Sequence, residues 1–175
     1  EAGLTEREPA RIIPYPPLDG AAFWLRVDSL LPDTAAWRTL VMPVRATFWD
    51  LHLAIGDAHG WAPVPGHVFR VDDPQTGQRR RLGAVGPGAG PPPLTREPSW
   101  AAALARLLHP DGRAALYVNE GVVPRTLAVA MVGGGPRPDR GPWPRCEAGA
   151  GGGFGGEAIV FANPQQCWSR MFGHD

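Results

Sequence analysis

His52 and His67 are the side chains in this sequence best suited to acid–base or metal chemistry, and each has few candidates to work with. His52 and His59 are seven residues apart on one predicted helix. They share a face, but their Cα atoms would stand about 10 Å apart at 1.5 Å per residue. One ion cannot easily take both, since ligand pairs on a helix want a spacing near four. His52 with His67 would need a carboxylate as third ligand. Asp50 faces the helix start and Asp57 lies off the His52 face, so no tight zinc site is expected, and His52 is expected to be held by a hydrogen bond. Nucleophilic catalysis is equally short of partners. No Gly-x-Ser-x-Gly occurs, and Ser29, Ser99 and Ser169 lie in contexts without a base beside them. Cys146 follows Pro142-Trp143-Pro144-Arg145 in a predicted loop, where an arginine would lower its pKa.

The glycine run 151–156 is rich in backbone donors but is followed by no Lys-Ser/Thr, so it predicts no phosphate loop and no nucleotide cofactor. Arg79-Arg80-Arg81 is the one basic run, and Asp72 and Asp73 offset part of its charge. Trp37, Trp49, Trp61, Trp100, Trp143 and Trp168 could stack bases. Four of them occupy helix or strand positions that suit a core instead. The residues therefore assign no catalytic group, no metal and no cofactor, and favour a protein partner over nucleic acid.

Composition agrees. The 175 residues carry 17 basic and 17 acidic side chains for a net charge of +0, and every basic one is arginine. No global field draws in nucleic acid or an acidic membrane. Gly 23 and Pro 21 make up about a quarter of the chain, near the low-complexity range. Yet 43% of residues are hydrophobic and seven are Trp, enough for a core. No apolar run approaches the roughly 20 residues of a membrane span. Residues 1–18 lack the apolar stretch of a signal peptide, so a cytoplasmic location is expected, with Cys146 and Cys167 as thiols.

These side chains must be positioned by an α+β fold: a mixed or mainly antiparallel sheet, two helices and long Gly/Pro-rich loops. Pro9, Pro14, Pro16 and Pro17 make residues 1–20 an extended arm. Residues 21–172 read as one domain with flexible loops near 83–98 and 133–156. Strands are predicted over 22–31 and 38–43, joined by a turn at Pro32-Asp33. Thr47–His59 is a helix, with Thr47 as N-cap, Asp50 completing a capping box, and Phe48, Leu51, Ile55 and Ala58 on one buried stripe. Gly60 ends it, and Trp61 packs back on its end. A strand follows at 67–71 and a short edge strand at 79–82. Ser99 caps a second helix over 100–108, with Trp100, Leu104, Leu107 and Leu108 inward. Strands at 114–118 and 126–132 form a hairpin. Ile159, Val160 and Phe161 make a last strand, with Trp168 and Phe172 as late anchors.

One segment carries a resemblance. A strand is followed by Trp37-Arg38, an apolar strand ending in Pro43, then Thr47-Phe48, Leu51-His52, Ile55, Ala58, Gly60-Trp61 and His67-Val68-Phe69. This order and spacing resembles the plasmid pRiA4b ORF-3-like family, whose members also occur as passenger proteins of an insertion element. The resemblance implies an α+β domain with no assigned activity, acting by binding, and a link to mobile elements. Its motif residues, with Glu120 on the later hairpin, give the candidate pocket: Trp37, Arg38, His52, Trp61, His67, Phe69 and Glu120. Several family features are missing. Leu116–Arg125 lacks the two aspartates, the Trp and the His of the family's Tyr-x-Tyr-Asp-Phe-Gly-Asp-x-Trp-x-His run. Pro65 replaces the first His of its His-Leu-His-x-Phe element, and only Cys146 and the glycines near Gly155 and Gly156 match its cysteine–glycine motif.

Overall fold

A computed structural model describes residues 21–86, 96–138 and 143–161. The predicted arm, Cys167 and the anchors Trp168 and Phe172 lie outside these residues. The chain forms β1 (Ala21–Leu31), β2 (Trp37–Pro43), α1 (Phe48–His59), β3 (His67–Asp72), β4 (Arg79–Ala84) and β5 (Glu97–Pro98). A 3-10 turn (Ser99–Ala101) and a one-turn helix α2 (Leu104–Leu107) follow, then β6 (Ala115–Asn119), β7 (Arg125–Pro136), β8 (Arg145–Ala150) and β9 (Ile159–Val160). The nine strands make one mixed sheet in the order β5-β4-β3-β6-β7-β1-β2-β8-β9. Every pairing is antiparallel except β4 with β5. The fold is therefore α+β, as the sequence predicts.

One face of this sheet is covered. Thr47 and Asp50 close the capping box at the start of α1, and Gly60 takes the left-handed conformation (φ 71°) after its end. Phe48, Leu51 and Ile55 of α1 are fully buried with Leu25, Leu40, Met42, Phe69, Leu82, Tyr117, Leu127 and Val129 from the strands. Burying such side chains contributes roughly 1.5–3 kcal/mol each, which is what docks the helix. Trp49, His52 and Leu53 of α1 are buried as well. Trp100 covers this side, its ring 6.0 Å from that of Trp49.

Two predictions need correction. The helix over 100–108 is interrupted, leaving the 3-10 turn Ser99–Ala101 and the one-turn α2 Leu104–Leu107. Residues 102–103 are extended instead, because the Phe48 N–H donates to Ala102 O and the Leu104 N–H to Ala46 O, bracing the entry to α1. These tertiary bonds override the alanine-rich propensity of the segment. The basic run lies on the sheet edge as expected: β4 runs the full length of β3, and among the described residues β5 pairs outside it only at Leu82 and Gly83. The glycine-rich stretch after 133 is partly strand. Gly133–Gly135 extends β7 along Ala22–Trp24, and the Phe23 ring occupies the space a side chain at Gly134 would need. Arg145–Ala150 forms β8 on β2, which makes Cys146 the buried residue of a strand rather than part of a loop.

Candidate functional site

The candidate residues gather where α1, β3 and β6 meet, under the loop 61–66. His67 starts β3 opposite Asn119 of β6, and Phe69 lies opposite Tyr117. These four side chains point to the helix side, and α1 presents His52 to them. The His52 and His67 rings stack in parallel, 3.7 Å between centroids and 7° between planes. Phe69 meets the His67 ring edge to face at 5.8 Å.

Partner chemistry fixes both tautomers. His52 Nε2 lies 2.7 Å from Val64 O. A carbonyl only accepts, so Nε2 carries the proton and Nδ1 accepts from the Tyr117 hydroxyl at 2.7 Å. The Tyr117 oxygen in turn accepts from Asn119 Nδ2 at 3.0 Å, and Asn119 Oδ1 takes the Gly121 N–H. His67 has the reverse arrangement. Its Nδ1–H donates to Pro65 O at 2.7 Å. Its Nε2 accepts from the Ser99 hydroxyl at 2.9 Å.

Burial sets the protonation states. His52 is 3% exposed, and His67 and Ser99 are 0% exposed. Desolvation pushes the His52 pKa down to about 4. His67 falls well below the ordinary value, first from burial and then from the adjacent His52. Burial also holds the Tyr117 phenol above its usual range. All four ring nitrogens are engaged at neutral pH. Stacked rings aim their in-plane lone pairs along parallel planes, so the two imidazoles do not converge on one ion.

The remaining candidates lie apart. Trp61 sits at the rim, lining with His52, Leu53, Pro63, Val64 and Asn119 an open pocket of about 260 Å³ including its mouth. Its ring is sandwiched between His59 at 4.4 Å and the Arg125 guanidinium at 4.4 Å. Glu120 turns away to Arg96, with contacts of 2.6 and 2.7 Å. Arg96 also donates to the His67 carbonyl oxygen. Trp37 is on the opposite face of the sheet, with Arg26 4.2 Å over its ring.

Arg38 is buried at the far end of α1. Its Nε donates to Ala58 O, its Nη1 to Trp37 O and Ala150 O, and its Nη2 to Gly152 O. The structure thus brings together His52, His67 and Phe69, with Trp61 beside them, and separates Trp37, Arg38 and Glu120. Tyr117, Asn119 and Ser99 complete the site, and no local sequence signal marks them as its members. The sequence predicts Ser99 as a helix cap, but its hydroxyl goes to His67 and caps nothing.

No family model and no curated protein matches the chain. Among solved structures it is similar to the crystal structure of a protein of unknown function, MM3350, from Methanosarcina mazei Go1. The identity is 25% and the TM-score 0.61, over 74% of this chain and 69% of that one.

Proposed function

We propose that this chain is a non-catalytic binding or accessory protein, similar in kind to the plasmid pRiA4b ORF-3-like proteins whose motif spans Trp37 to Phe69, and linked through them to mobile elements. One observation supports this most. The polar groups that could do chemistry, on His52, His67, Tyr117, Asn119 and Ser99, are buried and bonded to one another or to backbone. Such a satisfied network specifies a core rather than serving a substrate. Zinc titration of chelator-treated protein and labelling with a fluorophosphonate serine probe test the reading together. The expected result is neither submicromolar zinc binding nor labelling. One-to-one zinc binding abolished by His52→Ala, or labelling abolished by Ser99→Ala, would overturn it.

A second reading rests on the Ser99–His67–Pro65 arrangement. A hydroxyl bonded to Nε2, with Nδ1–H held by an oxygen, is the order of nucleophile, base and orienting group in acyl transfer. The complete burial of Ser99 is what places this reading second.

A further inference from the structure

The sheet face away from α1 carries an arrangement that the histidine site does not use. Arg70 of β3 lies directly opposite Arg81 of β4 in the antiparallel register. Both belong to the outer face, because their neighbours Phe69, Val71 and Leu82 are buried in the core on the other. Opposed residues have Cβ atoms about 5 Å apart, and like charges so placed destabilise a sheet. Arg79, on the same face, uses Asp72 at 3.3 Å, and Arg113 approaches the other oxygen of that carboxylate at 3.9 Å. Two guanidinium groups thus share that one carboxylate. Among the described residues, Arg70 and Arg81 have no acidic partner, and Arg81 Nε is buried with no hydrogen-bond partner at all. The inner-face arginines of the same corner, Arg80 and Arg106, are by contrast matched by Asp73 and Glu97. In a chain with a net charge of +0, this corner is a concentrated local excess.

We propose that Arg70 and Arg81 form a binding site for a phosphoryl group, with Arg79 and Arg113 at its rim. A phosphoryl dianion matches two cations where a carboxylate matches one, and guanidinium forks bind its oxygens in pairs. The bound anion removes the repulsion that the empty register imposes. The site gives the binding role proposed above a ligand class and lies on the other side of the sheet from the histidine network. The phosphoryl charge belongs either to a small phosphorylated compound, as one dianion, or to two successive monoanionic phosphates of a single-stranded nucleic-acid backbone.

Full-length protein is titrated with pyrophosphate and, separately, with a fluorescein-labelled 12-nucleotide deoxythymidine strand at several salt concentrations. The variants are Arg70→Gln with Arg81→Gln, and, as control, the exposed Arg45→Gln. The double variant is expected to lose at least about tenfold in pyrophosphate affinity and the control less than about twofold. A backbone source adds strand binding whose salt slope falls by about 1.4 in the double variant, at roughly 0.7 for each phosphate no longer neutralised. A small-compound source leaves strand binding absent or insensitive to the variant. Arg70→Glu supplies a second measure, because it places a carboxylate opposite Arg81. It should raise the melting temperature and abolish pyrophosphate binding. Equal affinity of wild type and double variant for both probes, or no saturable binding of either, overturns the proposal. Turnover of bound pyrophosphate would overturn the non-catalytic reading and leave the site standing.

Discussion

The buried, neutral state of His52 should by itself make this fold about 2 kcal/mol less stable at pH 5 than at pH 7.5. In the folded chain its Nε2–H is committed to Val64 O and its Nδ1 to the Tyr117 hydroxyl, and burial lowers its pKa to about 4. In the unfolded chain it returns to about 6.5. The unfolded state therefore binds a proton that the folded state refuses, and stability falls with pH across this window. The contribution is whole above pH 6.5. Between pH 7.5 and pH 5 it shrinks by about 2 kcal/mol, at 1.36 kcal/mol per unit of proton linkage. His67 acts in the same direction. Asp50 acts in the opposite one, since burial raises its carboxyl to about 6 and the folded state gains its proton first. The wild-type profile alone thus mixes signs, and a variant isolates the term. His52→Gln keeps an amide donor for Val64 O and removes the titration. Urea unfolding of both proteins at pH 7.5, 6 and 5 should show the variant less stable at neutral pH but losing about 2 kcal/mol less on acidification. Parallel stability profiles would refute the buried, neutral assignment of His52.

Other outcomes follow from single contacts. Leu51→Ala should cost about 2–5 kcal/mol in urea unfolding, because the side chain is fully buried on the sheet side of α1. Thr47→Ala should cost about 1 kcal/mol by removing the cap on the Asp50 N–H, with far-ultraviolet ellipticity nearly unchanged. Gly149→Ala should lower the melting temperature by several degrees, since a Cβ there would stand 2.8 Å from both Arg38 Cδ and Trp37 O. Cys146 should resist iodoacetamide in native protein carrying Cys167→Ser and react once unfolded, because it is buried and burial raises its thiol pKa.

How much of this is legible in the sequence depends on the distance between interacting residues. The first helix is readable because its signals are local: Thr47 and Asp50 three apart, apolar residues at helical spacing, and Gly60 after the last turn. The β1–β2 and β6–β7 hairpins are readable for the same reason. The segment after Ser99 misleads because its conformation answers to Ala46 and Phe48, more than 50 residues earlier in the chain. β8 has the composition of a loop, and only its pairing with β2 makes Arg145–Ala150 a strand. His52 and His67 stand out by residue type, but their partners Tyr117 and Ser99 lie 65 and 32 positions away and follow no spacing rule. Arg70 and Arg81 become a pair only once the β3–β4 register is known.

The bonding of Arg38 ties the folding of the N-terminal half to the arrival of the C-terminal one. Its guanidinium is 1% exposed and is solvated by four carbonyl oxygens instead of a carboxylate. Two of these, on Trp37 and Ala58, are available early in synthesis. The other two belong to Ala150 and Gly152, over 110 residues later. Until then a cation on β2 has half its acceptors missing, and burying it would leave guanidinium donors unpaired in the core. A nascent chain ending near residue 138 would hold β1, β2, α1 and β7, yet keep that corner open to water. That corner closes only when β8 and the turn after it emerge, so this part of the core waits for Ala150 and Gly152.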